Sequence, residues 1–165
     1  MVSERFVRFS VVPLTTISFI LSVVTLGLSA SLEAHWAKNG FPNGSYRDRE
    51  RILLAASIWG FLISIYSLVG TFFFPDRLAF GIFFHLIAFG IAFILYMIGS
   101  ASLVALTDKI DCSDVDWSRC GHVKALVGFG WTETIIVFVL LMLVLFLGIK
   151  ARSGVGMRKG ALTDA

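Results

Sequence analysis

Four long stretches almost free of charge dominate the chain, from about Phe9 to Leu32, Ile52 to Phe74, Leu78 to Leu106 and Ala125 to Ile149. Each reaches the roughly 20 apolar residues that a helix needs to cross a hydrocarbon core about 30 Å thick. The pattern therefore predicts four transmembrane helices. Polar stops bound them: Arg8 and Glu33 flank the first and Arg51 precedes the second. Pro75-Asp76-Arg77 separates the second from the third, Asp108-Lys109 follow the third, and Lys124 and Lys150 enclose the fourth. Between the spans lie about 19, three and about 18 residues. A three-residue connection folds the second and third helices back on each other, and an even number of spans puts both termini on one side. The fold class read from this pattern is an all-α integral membrane protein, an antiparallel four-transmembrane-helix bundle. Residues 1–150 form the membrane domain and residues 151–165 a basic tail.

Composition sharpens the picture. Of 165 residues, 57% are hydrophobic and only 15% charged, against about 45–50% and 25% in soluble domains, and the mean hydropathy is +0.86. An ordinary soluble globule is excluded. A net charge of +3 with no basic stripe excludes a nucleic-acid footprint, and two cysteines are too few for a disulfide-scaffolded miniprotein. The first stretch begins after Arg5 and Arg8 and contains Leu28-Ser29-Ala30, which imitates a signal-peptide cleavage site. Its apolar length of about 24 residues exceeds the roughly 7–15 of a signal core, so it is read as a span.

Charge does not fix the orientation. Seven Lys and Arg residues fall on the terminal side (Arg5, Arg8, Arg77, Lys150, Arg152, Arg158, Lys159) and seven on the loop side (Lys38, Arg47, Arg49, Arg51, Lys109, Arg119, Lys124), which is a tie under the positive-inside rule. Cys112 and Cys120 break it. Both lie in the third loop, and a disulfide between them requires the oxidising, extracytoplasmic side, so the termini are expected in the cytoplasm.

No catalytic motif is present, and the reading is of a non-enzyme without a cofactor. Glu133 is the one acid well inside a span, about eight positions or roughly 12 Å of helical rise from the loop-side end of the fourth helix. A carboxylate at that depth costs about 3 kcal/mol on insertion scales, so it is expected to face the bundle interior. Thr25, Ser64, Tyr96 and Ser100 are the polar residues at matching depth. Two readings stand: a proton or cation site, or a protonated or hydrogen-bonded group joining helices. No second buried charge lies at that depth, which favours the joint. His85 enters the third span from the opposite side and is expected to pack there, apart from Glu133. His35 and His122 lie in loops, so the paired axial histidines of a membrane cytochrome are absent.

Cys112 and Cys120, eight positions apart in an aspartate-rich loop, read as a structural clip worth about 2–3 kcal/mol in the chain-entropy picture. A redox relay would need a second cysteine pair, and the aspartate spacing does not follow the EF-hand pattern. Pairs of small residues at four-residue spacing (Ser18 and Ser22, Gly60 and Ser64, Ala88 and Ala92, Ala101 and Ala105) let helices approach closely. Sixteen phenylalanines concentrate at Phe72-Phe73-Phe74 and around Phe80, Phe83, Phe84, Phe89 and Phe93, giving the hairpin of the second and third helices a bulky lipid- or partner-facing surface. Lys150, Arg152, Arg158 and Lys159 give the tail an attraction to anionic lipid.

The arrangement resembles the MARVEL family, particularly its short fungal members. The resemblance rests on four spans, a first loop ending in the basic segment Arg47-Asp48-Arg49-Glu50-Arg51, and a very tight second loop with Pro75. It rests also on a cysteine pair in the last loop, followed by Lys124-Ala125 and an aromatic start to the fourth helix (Phe129, Trp131). The Trp and cysteine signature of claudins and the Cys-Cys-Gly of tetraspanins are absent. What the resemblance implies is a non-enzymatic protein that organises membrane or accompanies secretory and plasma-membrane traffic, with lipids as its partners. The alternative is an accessory subunit of a larger membrane enzyme or transporter, or a homo-oligomer.

Overall fold

The computed structural model describes residues 4–40, 44–73, 82–108 and 119–151, and within them the chain forms four long helices: α1 (Glu4–Asn39), α2 (Gly44–Phe73), α3 (Ile82–Thr107) and α4 (Cys120–Ala151). All four are long and apolar enough to cross a membrane. Their lengths of 36, 30, 26 and 32 residues correspond to about 54, 45, 39 and 48 Å of rise, so each exceeds a 30 Å core. The charges that bound the apolar stretches do not end the helices: α1 continues past Glu33, and α2 begins well before Arg51. Charge marks where the chain prefers to leave hydrocarbon, whereas the backbone stops where its geometry changes. For α1 that point is Gly40, whose φ of +86° is left-handed and whose N–H donates to the Trp36 carbonyl at 2.8 Å, a glycine C-cap. The tight turn read at Pro75–Arg77 lies outside the described residues, as do Cys112, Phe74, Phe80, Arg152, Arg158 and Lys159. Lys150 stands in the last turn of α4.

Which face turns inward follows a seven-residue repeat. Along α1 the buried positions are Val11, Thr15, Ser18, Ser22, Thr25, Ser29, Leu32 and Trp36, alternating steps of four and three. In α4 they include Val123, Leu126, Glu133, Val137, Leu140, Val144 and Leu147. A 3.5-residue average step keeps one seam against its neighbours along a left-handed bundle. The α1 seam is mostly hydroxyl-bearing, while its outer face carries Ile17, Ile20 and Val23. Lipid removes the hydrophobic drive between helices, so small and hydrogen-bonding side chains line the contacts and large aliphatic ones face out.

Helices α1 and α2 pack together, as do α2 and α3, α3 and α4, and α1 and α4. Between α1 and α2 the meetings run from Trp36 with Tyr46, through Glu33 with Arg51, to Phe19 with Phe61 and Ser18 with Ser64. The contacts descend one helix as they climb the other. Between α2 and α3 they run from Arg49 with the Ser102 carbonyl, through Trp59 with the Ala88 carbonyl, to Tyr66 with Phe84. Three glycines mark the closest approaches. A Cβ on Gly60 would lie 2.6 Å from Tyr96 Oη, one on Gly99 3.2 Å from Leu53 Cα, and one on Gly130 2.5 Å from Ser100 Oγ. Of the small-residue pairs, Ser18 and Ser22, Gly60 and Ser64, and Ala88 and Ala92 point inward, whereas Ala101 and Ala105 are exposed.

Candidate functional site

The seam of α1 meets Glu133 at the centre of the bundle. Glu133 is completely buried, and its Oε1 accepts hydrogen bonds from Ser18 Oγ at 2.6 Å and Ser22 Oγ at 2.9 Å. One helical turn separates the two serines, so both hydroxyls of one helix face converge on one oxygen. Ser64 on α2 reaches Ser18 at 3.5 Å, and Tyr96 Oη on α3 lies 3.3 Å from Ser22 Oγ. All four helices thus contribute to one buried polar joint: Ser18 and Ser22 from α1, Ser64 from α2, Tyr96 from α3 and Glu133 from α4. Glu133 Oε2 has no hydrogen-bond partner.

Of the four hydroxyls expected beside Glu133, Tyr96 and Ser64 reach it through the two serines. Thr25 instead donates to the Leu21 and Ser22 carbonyls at 3.0 and 3.1 Å, the back-bonding habit of a threonine inside a helix, while its hydroxyl also borders Tyr96. Ser100 lies over Gly130, one turn before Glu133, and its Oγ is buried without a hydrogen bond. The direct partners, Ser18 and Ser22, stood in the sequence as a close-packing pair. Their hydroxyls continue the Thr15, Ser18, Ser22, Thr25, Ser29 repeat, and that polar heptad was the legible sign that this face of α1 meets an acid.

His85 is buried between the rings of Tyr66 and Phe89, with centroids at 5.6 and 6.2 Å, well separated in sequence register from the Glu133 joint. Phe89 belongs to the core instead of the hairpin's outer surface, and Phe93 is partly buried and meets Phe138 at a tilt, with ring centroids 5.5 Å apart. The outer aromatic face consists of Phe72, Phe73, Phe83 and Phe84, of which Phe73 is 72% exposed.

A second polar centre lies at the loop-side ends of α1 and α2. Arg51 Nε and Nη2 donate to Glu33 Oε1 at 3.0 and 2.7 Å, and Arg49 Nη1 donates to the Ser102 carbonyl at 2.7 Å. Between these two arginines Glu50 turns inward and is 1% exposed. Neither of its oxygens has a hydrogen-bond partner, nor does Glu33 Oε2. In the sequence Glu50 stands in the basic segment that ends the first loop; its inward turn follows from Tyr46, Glu50, Leu53 and Ser57, which continue the α2 seam past the end of the apolar run. Among the described residues no group of three or more His, Cys, Asp or Glu side chains is placed to hold a metal ion.

A family model for the MARVEL membrane-associating domain matches residues 6–144. The chain belongs to the MARVEL family. The match takes in most of α1, all of α2 and α3 and most of α4, and so includes every residue of the Glu133 joint. No curated protein and no solved structure matches the chain. MARVEL domains are membrane-associating and generally non-enzymatic.

Proposed function

We propose that this MARVEL chain is a non-catalytic organiser of membrane, acting through helix packing and through its lipid-facing surface in secretory or plasma-membrane traffic. The observation that carries the reading is the division of labour between its faces. The interior holds the hydroxyl seam and Glu133, while the exterior is a belt of Ile, Leu, Val, Met and Phe side chains on all four helices, including Ile20, Leu62, Ile94 and Ile135. A joint that links four helices through Ser18, Ser22 and Glu133 gives a rigid core and leaves the aliphatic belt as the working surface. In this reading the bundle is antiparallel, a sense supported by contacts that descend one helix as they climb the next, and both termini are cytoplasmic.

The same reading closes the last loop with a Cys112–Cys120 disulfide on the extracytoplasmic side. Cys120 opens α4 and is buried, so a bond there would tether the loop directly to the helix that carries Glu133. Phe72 and Phe73 beside Phe83 and Phe84, all well exposed near the ends of α2 and α3, favour a second reading, an accessory subunit whose aromatic hairpin seats against a larger membrane protein. Extraction of the full chain in mild detergent, with sizing and mass spectrometry of what stays bound, separates the two. The organiser reading expects a self-associated or lipid-only particle; a stoichiometric membrane enzyme or transporter in the same peak overturns it in favour of the subunit.

A further inference from the structure

The pair Glu33 and Glu50 is not absorbed by the Glu133 joint. From Ser22 to Glu33 is 11 residues, or about 16 Å of helical rise, so the pair sits well away from that joint, toward the loop-side end of the bundle. Two residues from each helix build the place. Glu33 and Trp36 lie one turn apart on α1, and Tyr46 and Glu50 one turn apart on α2. Trp36 and Tyr46 meet edge to face with centroids 6.2 Å apart, and the two carboxylates are close enough to interact electrostatically. Three carboxylate oxygens there, Glu33 Oε2 and both of Glu50, are buried without a hydrogen-bond donor. Of the arginines flanking Glu50, Arg51 is committed to the other oxygen of Glu33 and Arg49 donates to the Ser102 carbonyl. Buried carboxylates are ordinarily paired or bound to metal, because an uncompensated charge is expensive in a low dielectric.

We propose that Glu33 and Glu50 form a binding site for a small, hard divalent cation of the calcium type, clamping α1 to α2 at the loop-side end of the bundle. Oxygen-only carboxylate donors suit such an ion over a soft transition metal. Burial decides against a larger occupant: each of the three oxygens has under 1 Å² of accessible surface, which keeps out the bulky ammonium of a lipid headgroup and leaves only a desolvated ion small enough to reach them. Two carboxylate side chains are fewer than a closed metal centre uses, so the affinity falls in the range of about 10⁻⁴ to 10⁻³ M seen for weak extracellular calcium modules. The site stands on α1 and α2 alone and does not depend on the membrane-organising role.

The test uses the full chain in detergent after EDTA treatment, with Tb³⁺ as luminescent probe and Ca²⁺ as competitor and stabiliser. Trp36, packed on Tyr46 one turn from Glu50, is placed to sensitise bound Tb³⁺. The expected result is sensitised emission displaced by Ca²⁺, together with a saturable rise in the unfolding temperature on adding Ca²⁺. Both are lost in Glu50→Gln and in Glu33→Gln, and both are retained in Asp48→Asn, a control at an exposed acid on the same segment. Should one Glu variant fail to fold, the other carries the test. Absence of emission and of a Ca²⁺ shift in the native chain overturns the proposal, which is also the outcome if the two carboxylates merely share a proton. Equal emission in the native chain and in both Glu variants overturns it as well.

Discussion

Gly60→Ala is the sharpest probe of the central joint, because the added carbon has nowhere to go. Its Cβ would stand 2.6 Å from Tyr96 Oη and 2.9 Å from both Ser22 Oγ and Tyr96 Cε2, where relaxed contacts are about 3.5 Å or more. The Tyr96 ring would have to retreat by roughly 0.6–0.9 Å to restore ordinary contact, yet it is completely buried. Ser22 can rotate away only by leaving Glu133, to which it donates at 2.9 Å. Overpacking of this kind costs about 1–3 kcal/mol, and one lost intramembrane hydrogen bond adds about 0.6 kcal/mol. The better helix propensity of alanine returns up to about 1 kcal/mol, leaving a net loss of about 1–3 kcal/mol. Reversible unfolding in mixed micelles, followed by far-ultraviolet circular dichroism over a titration with sodium dodecyl sulfate, measures it. Gly27→Ala and Gly128→Ala are the controls: a Cβ there meets nothing within 4 Å, so both should stay within about 0.5 kcal/mol of the native chain or exceed it. If Gly60→Ala also stays within that margin, the close approach of α1, α2 and α3 at Tyr96 is wrong.

Three further outcomes test the joint, the proposed disulfide and the proposed orientation. Glu133→Gln keeps an acceptor for Ser18 and Ser22 and should unfold near the native midpoint, whereas Glu133→Leu forfeits both bonds, a loss of about 1–3 kcal/mol at roughly 0.6–1.7 each; equal effects of the two substitutions would defeat the hydrogen-bonded joint. In the proposed disulfide, neither cysteine reacts with maleimide in denaturant until reductant is added, and Cys112→Ser leaves Cys120 reactive without it; labelling of the untreated native chain would remove the clip. A glycosylation acceptor placed between residues 112 and 118 should be modified in secretory membranes while one appended after Ala165 is not, and the reverse pattern would invert the orientation.

What the sequence determined by itself is the class of solvent and the number of crossings. Four apolar stretches, each near or above 20 residues, permit no other disposition of so many uncharged positions, because unpaired backbone in hydrocarbon is prohibitive and a helix pairs its own. The family resemblance was legible for the same reason, since topology and loop landmarks such as Pro75 and the basic segment before Arg51 survive in the order of residues. Hydropathy could not say which side of each helix faces lipid, because Ile20 outside and Leu32 inside are equally apolar. Only the seven-residue spacing of hydroxyls along α1 carried that information. The partners of Glu133 were decided by the tertiary structure: Thr25 shares the buried face of α1 but spends its hydroxyl on the Leu21 and Ser22 carbonyls, whereas Ser18 and Ser22 turn theirs to the carboxyl. Glu50 shows the limit most plainly. In the sequence it stands among alternating charges, and it is buried because α2 continues its seam beyond the apolar run and meets Trp36 and Glu33 on a neighbouring helix, a contact that no local pattern contains.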